Sequence, residues 1–205
     1  MSDGTAVRRE PHEIALLGDG PRAAVTVAAV DLYPRGMVEP DRPGTIRAGI
    51  ADAGSAERPP SPLAQEVHAC LHEPAGLRTL VRHPDVRLAL ALMRIPLAGA
   101  GLLRYPLLGP TRGARRHVRE LRQLHPLPAS RRGLADDDRL LAVALHGEAA
   151  LRLLVPRFAL RAGLIRRVEV GGKTLLKHSP HGSGGGYGGY TYCGAGGGGG
   201  GSGGD

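Results

Sequence analysis

Apolar residues at Ile14, Leu17, Val25, Ala28, Ala29 and Leu32 recur at helical spacing. Gly18, Asp19, Gly20 and Pro21 interrupt them. Asp19 or Gly20 suits the cap of a second helix and Pro21 its first turn. Pro34 to Gly36 stops that helix. Met37 to Glu39 then reads as a strand, residues 40–44 as a turn and residues 45–50 as a second strand. The order is helix, turn, helix, hairpin.

The same order recurs near the end of the chain. Gly20 and Gly36 are 16 residues apart, as are Gly147 and Gly163. In that frame Ala23 matches Ala150, Val27 matches Leu154, and Met37-Val38 matches Leu164-Ile165. A strand over 164–170, a turn at Gly171-Gly172 and a strand over 173–176 complete the third unit, and Pro156 should kink its second helix. A glycine that ends a helix with positive φ turns the chain back over it, and the apolar pair that follows enters the hairpin.

The middle unit is looser. Helices are expected over 63–71, 77–81 and 85–100, with Asp85 as the last one's N-cap; Gly101-Leu102-Leu103 replaces Gly36-Met37-Val38, and residues 105–109 are the sole candidate for a second strand. Helices followed by a two-stranded hairpin make the winged-helix plan. The fold expected is mainly α with small β-hairpins, built of tandem winged-helix-like units. They occupy residues 11–51, 63–110 and 136–177, after a flexible N-terminus at 1–10. Residues 52–62 form a Pro-rich linker, 111–128 a basic helical linker, and 178–205 a disordered Gly-rich tail.

Composition narrows this picture. Aromatics make up only 3% of the chain, with no Trp and one Phe, so the core must be aliphatic. The last 24 residues hold 15 of the 32 glycines and cannot bury enough surface to offset the entropy of ordering. Two cysteines, Cys70 and Cys193, make no disulfide framework and suit a reducing compartment. The start of the chain lacks the apolar run of a secretory signal. Residues 86–103 are apolar enough to suggest a bilayer span, but Arg94 sits at their centre and Pro96 follows, so they are expected to form a buried core helix of a cytoplasmic protein.

Net charge is +8, carried by 25 Arg and only 2 Lys, a bias that high-GC codon content produces by itself. The charge is uneven: residues 1–58 carry −2 and residues 59–135 carry +8. In the linker, Arg115, Arg116, Arg119 and Arg122 recur at i, i+3 and i+4, with Arg112 just before them. These five arginines are the candidate phosphate or partner contacts.

Other constellations are weak. Residues 170–174 imitate the end of a phosphate-binding loop, but Arg167 stands where that motif needs glycine and no helix follows. His68 and His72 are i and i+4 and could face one metal, yet a third ligand of fixed spacing is missing. Cys70 points elsewhere and reads as a small core residue. Ser61, Ser130, Ser179 and Ser183 lie in loops without a nucleophile elbow. Asp136, Asp137 and Asp138 suit the first turn of a helix rather than catalysis. The expectation is therefore no enzyme, with no catalytic, cofactor or metal residues. A recognition helix at residues 21–33 would offer bases only Arg22, Thr26 and Asp31.

Taken together, the opening HEIALLGDGPRAAVTVAAVDLYPRGMVE, the linker TRGARRHVRELRQLHPLP, the run LLAVALHG and the Gly-rich end with Cys193 resemble an actinobacterial family of uncharacterised proteins. The resemblance spans nearly the whole chain. It implies a helical N-terminal region, membrane association in many members and a Gly/Cys-rich tail, and it implies no activity. The function expected is a noncatalytic interaction or regulatory scaffold with a protein partner. The alternatives are a nucleic-acid-associated protein that uses the basic linker, and an enzyme with no identifiable site.

Overall fold

The computed structural model describes residues 9–50, 59–104 and 109–165, all within one compact unit. Nine helices and two small antiparallel hairpins occur among them. Residues 166–176 of the expected hairpin (strands over 164–170 and 173–176), the 170–174 motif, His178, His181 and the tail with Cys193 lie outside the described residues.

Helix α1 (Pro11–Asp19) starts with a capping box formed by Glu10 and Glu13, and Pro11 occupies the first helical position. Gly20 then joins it to α2 (Pro21–Leu32) with φ 84°. Eight residues of α2 are buried, and they fall on every side of it. A helix that is apolar all round belongs in a core, and α2 packs against α1, α3 (Pro62–Ala69), α4 (Leu77–Arg82) and α7 (Asp136–His146). Its alanines let these neighbours approach closely. Asp31 is buried at its end and is neutralised by Arg35, 3.0 Å away.

After α2, Gly36 has φ 68° and the hairpin β1 (Val38–Pro40) and β2 (Ile46–Ala48) follows, with Glu39 opposite Arg47. The first unit thus has the expected order. Ile46 also bridges to Ala75 through two backbone hydrogen bonds of 2.9 Å.

In the middle segment the helices match expectation, with one shift. Helix α5 (Pro84–Gly99) is capped by His83 rather than Asp85. Proline is favoured at the first helical position, which moves the cap one residue before Pro84 and puts Asp85 inside the first turn. A short hairpin also occurs here: β3 (Leu103–Arg104) pairs with β4 (Gly109–Pro110), which meets the candidate strand over 105–109 only at Gly109, residues 105–108 lying outside the described residues. No described helix is long and apolar enough to cross a membrane. The expected core helix α5 is buried on one face only. Val86, Leu90 and Leu97 are buried, whereas Leu88, Leu92 and Ile95 are 60%, 57% and 67% exposed. A Leu- and Ala-rich sequence hides which of its faces has a neighbour.

Helix α6 (Arg112–Leu124) is capped by Thr111, whose Oγ1 accepts from the Ala114 N–H at 3.2 Å. It presses Ala114 and Val118 into the core. Helix α7 carries Asp136, Asp137 and Asp138 in its first turn, as the helix dipole favours. Gly147 leads into α8 (Glu148–Leu154), and the chain breaks at Val155 before α9 (Pro156–Arg161). Pro156 therefore ends one helix and begins another instead of kinking one. Gly163 has φ 68°, the same value as Gly36. Leu164 and Ile165 form a bend, so no strand begins at 164.

The Phe158 ring closes the structure. It is fully buried and stacks on Tyr33, with ring centroids 4.1 Å apart and planes 17° from parallel. Beside it the Gly44 N–H donates to the Arg161 carbonyl at 2.8 Å. Helix α9 is thereby fixed to the end of α2 and to the turn of the first hairpin.

Candidate functional site

A cleft of about 570 Å³ opens where the N-termini of α1 and α3 meet the outer face of α5. Its floor is apolar, with Leu63, Leu88, Leu92 and Met93, and its edge carries Glu13, Glu66 and Asp85. No Lys or Arg lines it among the described residues. At its back, the buried Ser61 Oγ lies 3.2 Å from His12 Nε2. The same oxygen accepts from the Ala64 N–H as the N-cap of α3. Ser61 is therefore a capping residue that ties α3 to α1, not part of an open loop.

On the same side of the molecule, Cys70, His83 and Asp85 converge. Cys70 ends α3, His83 precedes α5, and Asp85 stands in the first turn of α5. Cys70 Sγ lies 3.1 Å from His83 Nδ1, and Asp85 Oδ2 lies 3.5 Å from the same nitrogen. Burial pushes the Cys70 thiol above its usual pKa, and the charges of Asp85 and Glu66 push it further; a hydrogen bond from the Val86 backbone works against them. A raised thiol bears little thiolate and is a poor nucleophile. A relay would also need the carboxylate on the other ring nitrogen from the sulfur.

The His68 and His72 pair, already set aside as a metal site for want of a third ligand, does not share a helix. Helix α3 ends at Ala69, so His68 is helical while His72 lies in the following turn. Their i, i+4 spacing has meaning only on an unbroken helix.

The five linker arginines are all exposed but differ in their surroundings. Arg116 pairs with Glu120 at 2.9 Å. Arg122 pairs with Asp19 at 3.2 Å and donates to the Leu145 carbonyl, so it joins α6 to α1 and α7. Arg112, Arg115 and Arg119 have no carboxylate partner among the described residues. The helix that could have read bases, α2, is enclosed, and Asp31 is buried with Arg35.

The Cys70, His83 and Asp85 cluster was missed from sequence because its members span two helices and a turn. The signal present was a His-Pro-Asp helix start following a helix that ends in Cys. No family model, curated protein or solved structure matches the chain.

Proposed function

We propose that the protein is a noncatalytic interaction scaffold of winged-helix-like units, and that its cleft docks a basic amphipathic helix of a protein partner. The observation that carries this is the cleft's chemistry: an apolar floor edged by Glu13, Glu66 and Asp85, with no lining cation among the described residues. Leu88, Leu92 and Ile95 are spaced i, i+4 and i+7, which is the spacing at which one helix grips another. Lys or Arg at the margins of such a partner would meet the carboxylates, while its apolar face covers the leucines. The tandem-unit reading is supported by the matched glycines, Gly36 and Gly163, and by Gly20 and Gly147, which both join helices at positive φ.

A fluorescein-labelled synthetic Lys/Leu amphipathic peptide is expected to bind saturably in an anisotropy titration, and its Glu/Leu counterpart much more weakly. Leu88→Asp with Leu92→Asp should weaken the cationic peptide at least about tenfold, since each buried leucine contributes roughly 1.5–3 kcal/mol. Equal binding of both peptides, or binding unchanged in the double variant, would exclude this use of the cleft.

A second reading, nonspecific nucleic-acid association through α6, rests on the unpaired exposure of Arg112, Arg115 and Arg119. It expects duplex retention that falls steeply with salt. Arg115→Ala with Arg119→Ala should lower the log–log salt slope by about 2, equally for unrelated sequences. A gel-shift titration at two salt concentrations checks this, and no retention at physiological salt rejects it.

A further inference from the structure

We propose that Cys70, His83 and Asp85 form a binding site for a zinc-class divalent transition-metal ion. One ligand atom from each residue lies within 4.8 Å of the other two. A tetrahedral ion with bonds of about 2.3 Å to sulfur and 2.0–2.2 Å to nitrogen and oxygen sets its donors roughly 3.3–3.6 Å apart. Two of the three separations, 3.1 Å between Sγ and Nδ1 and 3.5 Å between Nδ1 and Oδ2, are already close to those edges.

The donor set is selective. A thiolate and an imidazole favour zinc, cobalt or copper, whereas magnesium and calcium prefer oxygen alone. Each ligand also stands on a well-defined element. Cys70 caps the end of α3, His83 serves at once as the C-cap of α4 and the N-cap of α5, and Asp85 follows Pro84 into α5. The ion would therefore clip α3 to the α4–α5 junction. His83 caps α5 without a side-chain hydrogen bond to the helix, so its ring is free of that duty and turned to the sulfur and the carboxylate.

Binding is a proton-for-metal exchange at sulfur. The Cys70 S–H bond breaks, the proton leaves to buffer, and the sulfur lone pair forms the metal bond. His83 contributes the lone pair of neutral Nδ1 and Asp85 a carboxylate oxygen. No electron is transferred. Three protein donors leave a fourth position for water, and the side chain of Asp85 is 62% exposed, which gives an ion a way in. The site shares Asp85 with the edge of the neighbouring cleft, so a bound ion would engage one of the carboxylates there; the cobalt readout needs no docked peptide.

Cobalt(II) titration of the full chain carrying Cys193→Ser tests this, since Cys70 is then the only thiol. The expected result is a thiolate-to-cobalt charge-transfer band in the near ultraviolet, with tetrahedral visible bands, saturating at one cobalt per chain and displaced by zinc. His83→Ala and Asp85→Asn should each weaken cobalt binding about tenfold or more, with circular dichroism unchanged. Added zinc should raise the melting temperature of the parent and not of these variants. The proposal is overturned by the lack of a charge-transfer band at saturating cobalt, or by a band of equal affinity in both variants. Asp85 is well exposed and His83 caps its helices through the backbone, without a side-chain cap hydrogen bond, so the outcome does not hinge on whether Cys70→Ser folds.

Discussion

Phe158→Ala is expected to destabilise the protein by about 3–5 kcal/mol, as truncation of a fully buried aromatic does. Part of that loss, about 0.5–1.5 kcal/mol, belongs to the stack on Tyr33 rather than to area alone. In a protein of this size the midpoint of thermal unfolding should fall by on the order of 10 °C. The location matters as much as the size. Phe158 is the chain's single phenylalanine and the largest fully buried side chain among the described residues, and it joins α9 to the end of α2. Phe158→Leu should cost much less, about 1–1.5 kcal/mol, because most of the volume is kept. Thermal melts of the two variants, followed by circular dichroism, check the ordering. Equal losses would show that ring stacking and volume are not what hold α9 there.

Gly163→Ala should be comparably damaging, for a different reason. Gly163 has φ 68°, and a Cβ there would lie 2.8 Å from Gly44 Cα. An L-residue in that conformation costs about 1–2 kcal/mol. The contact is with backbone, which cannot rotate aside, and overpacking adds about 1–3 kcal/mol. Gly133→Ala supplies the control, since Gly133 has φ 73° but nothing within 4 Å of its Cβ position. Urea midpoints should therefore drop more for Gly163→Ala than for Gly133→Ala. Amide exchange should also quicken at Gly44, whose N–H bonds to Arg161. Matching midpoints in the two variants would mean that the hairpin turn yields without penalty.

The parts of the fold that could be read in the sequence are those whose cause is local. Gly20-Pro21 announces α2 because a proline at the first helical position lacks only a hydrogen bond the helix would not make. Gly36 and Gly163 announce helix ends because few other residues accept their φ. Arg115, Arg116, Arg119 and Arg122 at helical spacing announce α6. What depended on distant partners was not legible. The outer stripe of α5 looks as apolar as its inner one, and only the packing shows that Leu88, Leu92 and Ile95 lack cover. Arg122 looks like its neighbours on α6, yet Asp19 and Leu145 engage it from elements far away in the chain. Cys70 and His83 are 13 residues apart, a spacing that carries no geometric meaning until a turn returns the chain.

The packing of α1 against α7 has a consequence for how this protein is made. Helix α1 ends at Asp19 and α7 begins at Asp136, so most of the described chain separates two surfaces that touch. During synthesis the first helices leave the ribosome long before their partner does. Until residues 136–146 have emerged, the flanks of α1 and α2 that α7 will cover stay open to water and to other chains. Closing so long a loop also delays the final collapse, because its entropy is lost before the contact is gained. The acidic first turn of α7 and the pairing of Asp136 with Arg139 at 2.7 Å favour its helical form early, so that it can dock as a prefolded piece. A chain truncated before residue 136 would leave the flanks of α1 and α2 that α7 covers open to water.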